Sequence, residues 1–171
     1  MSKTKIIVLT ALISFAIGVG AIGNAVAGEK FKLRTVKYNV KWEPVNVPDE
    51  EGHVIAVYEH KGISTNMEGK TFGDGWVTWE TGLVDINLKT GLGSGHGYGV
   101  VTDRDGDKYY LAWKGKRVRG GKLWTGYWEF ESTIVKGTGK YEGIQGKETG
   151  YTYHPEKGQV YTDSEVEVEL P

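Results

Sequence analysis

Histidines and carboxylates are the residues here that could move protons or bind a metal. The four histidines are His53, His60, His96 and His154. None stands at H-x-H or H-x-x-x-H spacing, which would let two imidazoles reach one ion, so ordinary strand or loop roles are expected and no metal site is assigned. Acid–base work remains. His96 is the first candidate, because it lies in Gly91-Leu92-Gly93-Ser94-Gly95-His96-Gly97-Tyr98-Gly99, where small neighbours leave room beside it for a ligand. His60, in phase with Tyr58, is the second. Glu59, Glu80 and Asp85 lie within otherwise apolar or aromatic segments. Any of them facing an apolar interior would have its pKa raised by burial and become an acid or base, Glu59 foremost. An outward carboxylate paired with Lys or Arg is the plainer alternative.

Asp103, Asp105 and Asp107 match the first three ligand positions of an EF-hand loop. The match then fails, with Lys108 where that loop requires Gly and Lys114 where it requires a bidentate Glu. A hairpin turn whose Asp side chains accept bonds from its own amides is expected instead. The aromatics Trp76, Trp79, Tyr98, Tyr110, Trp113, Trp124 and Trp128 are the candidates for lining a pocket for a flat or apolar ligand, against the simpler role of core. No serine elbow, phosphate-binding loop, dinucleotide fingerprint or Cys-His pair occurs, and no cofactor is implied.

The elements that must position these groups begin after an export leader. Lys3 and Lys5 precede an apolar run from Ile6 to Val26 that ends in Ala25-Val26-Ala27. A basic start, apolar middle and small-x-small end predict a signal peptide over 1–27, a periplasmic or secreted location, and no membrane span once it is removed. An uncleaved anchor is the alternative, weakened by Gly18, Gly20, Gly23 and Asn24. The remaining 144 residues, 28–171, make one domain. Of 21 basic residues, two lie in the leader, so 19 face 22 acidic ones. That slightly acidic balance, without a basic stripe, excludes a nucleic-acid footprint. With no cysteine, the exported chain must be held by packing alone.

Period-two alternation runs through most of this domain. Val36, Tyr38, Val40 and Trp42 share one face of a first strand that should end near Pro44 and Pro48. Val54, Ala56, Tyr58 and His60 share a face of a second strand. Apolar residues on its opposite face suggest that it is covered on both sides. Trp76 to Leu88 forms a third, bent at Gly82. Gly91 to Val101 reads as a strand whose alternate glycines leave one face bare for close approach of a backbone or ring. Asp105-Gly106 marks a hairpin, with a return strand from Lys108 to Lys114. Trp124, Gly126, Trp128, Phe130, Ser132 and Ile134 align on one face of Lys122 to Val135, and a glycine corner follows from Gly137 to Gly146. Lys147 to His154 and a last strand complete the set, with Val160, Thr162, Ser164, Val166, Val168 and Leu170 opposite Tyr161, Asp163, Glu165, Glu167 and Glu169. Eight antiparallel strands without a helix of useful length close most economically into a barrel, which removes exposed edges.

The hairpin Asp105-Gly106-Asp107, followed by Gly137-Thr138-Gly139-Lys140-Tyr141-Glu142-Gly143-Ile144-Gln145-Gly146, resembles exported bacterial proteins with the allene oxide cyclase-like barrel; dirigent proteins carry a comparable turn. The resemblance implies an eight-stranded barrel, an apolar lumen and often a homotrimer. It carries over no catalytic residue, since no stretch matches those site motifs. Two readings stand from sequence. One is a non-catalytic exported barrel that binds a small apolar or aromatic molecule or serves as a structural oligomer. The other is an isomerase or cyclase using His96, His60 or Glu59 on a hydrophobic substrate.

Overall fold

The computed structural model describes residues 28–119, 126–155 and 159–171. The leader over 1–27 and the candidate Trp124 lie outside the described residues. Eight strands run in order: β1 (Glu29–Asn46), β2 (His53–Asn66), β3 (Val77–Asn87), β4 (Leu92–Thr102), β5 (Lys108–Val118), β6 (Tyr127–Gly137), β7 (Gln145–Tyr153) and β8 (Gln159–Glu169). Each pairs antiparallel with its neighbours in sequence, and β8 returns to β1 from Glu29↔Val168 to Tyr38↔Gln159, so the sheet is a closed barrel. Among the described residues no helix is long and apolar enough to cross a membrane.

The inward face follows the alternation, though not always in the direction that apolarity suggests. On β8 the apolar set points in, with Val160, Val166 and Val168 fully buried. On β1 the parity is reversed: Phe31, Leu33 and Thr35 are buried, while Val36 and Tyr38 are 49% and 57% exposed. A bulge at Val40, between the pairs Asn39↔His60 and Lys41↔Glu59, then switches the phase. Trp42 therefore pairs with Tyr58 and lines the lumen, although alternation alone grouped it with Val36 and Tyr38.

β1 ends at Asn46, between Pro44 and Pro48 as expected, and Pro44 itself pairs with Ala56. The pairing with β8 has stopped at Tyr38, so proline occupies an edge stretch where its missing N–H breaks no second ladder. The outer face of β2 is not covered as its composition suggested, for Val57 and Ile63 are both exposed.

One end of the barrel is plugged. Phe72 stacks on Phe31 at 4.4 Å and meets Trp76 at 4.7 Å, while Trp76 and Tyr109 both contact Tyr141. Around these rings pack Leu33, Val101, Leu111, Ile134 and Ile144. The two glycine-rich turns lock together here. Asp103 Oδ1 accepts the amides of Asp105 and Asp107 at 2.8 and 3.0 Å, and its Oδ2 accepts the Tyr141 hydroxyl at 3.0 Å and the Lys140 ammonium at 2.7 Å. Gly139, at φ 57°, stands where a Cβ would collide with the Asp107 carboxylate. The three aspartates thus build a turn, and among the described residues no group of three acidic or histidine side chains is placed to hold a metal.

Candidate functional site

Above the plug the barrel is hollow, with a cavity of about 370 Å³. Its apolar wall is Val84 and Ile86 from β3, Leu111 and Trp113 from β5, and Trp128 and Phe130 from β6. Three glycines make room for Trp113. Cβ atoms on Gly82, Gly95 and Gly97 would lie 2.4, 3.3 and 2.8 Å from its indole. The alternate glycines of β4 thus present the bare face that their spacing suggested, and an indole lies across it.

A charged cluster crosses this apolar space. Lys37 of β1 pairs with Gly62 of β2, and its Cγ would lie 2.8 Å from a Cβ there. Passing over that glycine, its ammonium reaches Glu80 Oε2 of β3 at 2.5 Å. The Tyr58 hydroxyl donates to the other oxygen, Glu80 Oε1. Burial opposes ionisation of Glu80, yet Lys37, His60 and the two hydrogen bonds together hold its carboxyl below the usual range. Sequence reasoning foresaw a buried carboxylate raised in pKa. Glu80 is that inward carboxylate, and Lys37 reverses the sign. Burial, reinforced by Glu80, pushes the Tyr58 phenol well up, so it stays a donor.

Beside this cluster lie two uncharged imidazoles. His60 and His154 have ring centroids 6.2 Å apart, and burial lowers both to about 4. Glu148 of β7 enters from the opposite wall. Burial raises its carboxyl, outweighing Ser164 and Lys37, and keeps it a neutral acid over a wider pH range than an exposed Glu. Arg117 of β5, paired in register with Trp128, lines the cavity near the strand ends, and burial lowers its pKa. Three buried polar atoms of the lining have no hydrogen-bond partner: His60 Nδ1, Thr78 Oγ1 and Trp113 Nε1. Buried polar atoms are rarely left so.

The structure separates the sequence candidates. His60, Trp113 and Trp128 line the cavity. His96 and Tyr98 do not: with the β4 glycines turned inward, both side chains face outward, Tyr98 being 64% exposed. Glu59 also faces outward, its carboxylate 3.8 Å from the Lys61 ammonium. Trp79 also borders the cavity but is 48% exposed, with Lys61 5.7 Å from its ring centre, and Tyr110 stands on the outer face with Lys136 6.0 Å from its ring centre. Trp76 belongs to the plug. Asp85 is outside, where it and Asp49 clasp His53 at 2.8 and 2.6 Å and hold that imidazole above its usual pKa.

Lys37, Arg117 and Glu148 are the lumen groups that sequence reasoning missed. Glu148 and His154 could have been found, because they share parity with Gly146 and Gly150, and Gly150 pairs with inward Ser164.

No protein-family model and no curated protein matches the chain. Among solved structures, it is similar to a conserved protein of unknown function from Rhodopseudomonas palustris. The TM-score is 0.54 at 12% identity, over 83% of this chain and 97% of that one. What they share is the barrel. At that identity no side chain of the lumen can be carried from one to the other.

Proposed function

We propose that this barrel binds a small apolar or aromatic molecule in its lumen. The observation that carries the reading is the 370 Å³ cavity, walled by Trp113, Trp128, Val84 and Ile86 and lined by three unpartnered buried polar atoms. The volume falls within the usual range for small-molecule sites, and an apolar wall with a few convergent polar groups is their usual chemistry. With this goes the proposal that the chain is exported after cleavage behind Ala27 and is akin to the allene oxide cyclase-like and dirigent-like barrels. The support is the leader pattern and the paired glycine turns. Native mass spectrometry of protein purified from its own host tests the binding reading. A retained adduct of a few hundred daltons is expected, whereas a bare chain under conditions that preserve other complexes would count against it.

A second reading has its own support. Neutral His60 and Glu148, whose carboxyl burial shifts toward the acid form, line one cavity, as a base and an acid must in an isomerase or cyclase that moves a proton on a bound hydrophobic substrate. A structural role draws on a different surface, the outer face of β1 to β4. There Val36, Ile63 and Val77 are aligned in register and exposed, with Tyr38 and Trp79 one ladder step away. Such a band suits burial against further copies, and a homotrimer is the assembly proposed. Sedimentation equilibrium tests it, with a monomeric mass as the contrary result.

A further inference from the structure

The charges within the cavity do not cancel. Lys37 and Glu80 neutralise each other across 2.5 Å. Glu148 is pushed toward its neutral acid by burial, and His60 and His154 are neutral bases above about pH 4. That leaves Arg117. Its guanidinium has no carboxylate partner among the described residues, although burial disfavours its charge. Its neighbour beside the start of β6 is a glycine: a Cβ on Gly126 would stand 3.4 and 3.6 Å from Nε and Nη2. Bare backbone therefore borders the guanidinium, while Trp128 pairs with Arg117 in register on the same inward face.

An arginine left without a counter-ion at a half-buried site is unfavourable unless something supplies one. Its planar fork matches a carboxylate, which it holds through two parallel N–H···O bonds. We propose that Arg117 anchors the anionic head of the ligand, and that this ligand is a flat apolar carboxylate whose body lies against Trp113 and Trp128. The inference rests on the lumen-binding reading and narrows it from apolar molecules in general to apolar anions.

The test uses two probes of the same shape, 2-naphthoate and 2-naphthamide, titrated calorimetrically into the intact protein and into Arg117→Gln and Arg117→Lys. The naphthoate should bind about tenfold or more tighter than the amide, as expected for hydrogen bonds to a charged group. Arg117→Gln should abolish that preference, bringing the two affinities within about twofold of each other. Arg117→Lys, which keeps the charge and loses the fork, should retain only part of it. Equal affinity for the two probes, or a preference that survives Arg117→Gln, would overturn the anion anchor and leave lumen binding standing. If neither probe binds, the cavity is not a site for flat apolar molecules and the narrower inference falls with it.

Discussion

Replacing Lys37 by Met should strand a charge in the lumen. In the native protein the ammonium and the Glu80 carboxylate are 2.5 Å apart, with side chains only 10% and 21% exposed. At an effective dielectric constant of about 20, Coulomb's law gives roughly 6–7 kcal/mol for that separation. Desolvation of the two ions offsets much of this, so the intact pair contributes little net stability. Removing one partner differs from removing both. Lys37→Met leaves Glu80 buried without its cationic partner, and a loss of about 3–5 kcal/mol near neutral pH is expected. Lys37→Met combined with Glu80→Gln should come within about 1–2 kcal/mol of wild type, since no unpaired ion remains.

The pH dependence has a defined sign. Native Glu80 titrates below its unfolded value, so its contribution is present above that value and is lost as pH falls through the lowered one. In Lys37→Met the order reverses. Burial then raises the folded pKa, so the deficit is absent in acid and grows as pH rises from the unfolded value through the raised one. Urea unfolding followed by tryptophan fluorescence, near pH 7 and near pH 4.5, measures both. A deficit below about 1 kcal/mol at neutral pH, or a double variant no better than the single one, would refute the picture of a charge pair buried in a low-dielectric lumen.

Glu148→Gln should be neutral or stabilising at neutral pH. Burial raises the native carboxyl, so ionising it opposes folding above the unfolded pKa, and in denaturant titrations the gain should grow as pH rises from the unfolded value through the raised one. His60 and His154, lowered to about 4, contribute stability above 6.5 that is lost as pH falls toward 4; a His60→Gln, His154→Gln double variant should flatten that limb of the stability curve. At the plugged end, Asp103→Ala leaves the buried Tyr141 hydroxyl and two turn amides without their acceptor and removes one of the two carboxylates on Lys140, which keeps Asp105. A loss of about 2–4 kcal/mol by chemical denaturation is expected, with no change in lumen binding.

Much of the architecture was legible in the chain because alternation is a backbone property. The Val160 segment, the β4 glycines and the two glycine turns each announced their geometry, and the barrel followed from counting strands with nowhere to hide an edge. Direction was harder to read. β1 carries apolar residues at both parities, so Val36 and Tyr38 looked as suitable for an interior as Phe31 and Leu33. The ring closure chose the second pair by setting Leu33 opposite Ser164 and Thr35 opposite Thr162 on inward β8. One extra residue at Val40 then brought Trp42 inward, which no alternation pattern can signal.

The polar site was hidden for a related reason. Lys37, Arg117 and Glu148 are residues that sequence reasoning assigns to water, and each is brought inside by the parity of its strand. His96 drew attention because glycines flank it. The same glycines are the inward residues, so their neighbour must face out.

Intermolecular nuclear Overhauser effects between 2-naphthoate and the assigned aromatic protons test lumen binding most directly. Contacts to Trp113 and Trp128 are predicted, with none to Tyr98. Contacts confined to Tyr98 and Tyr110 on the outer face would mean that the barrel's interior is not the binding site.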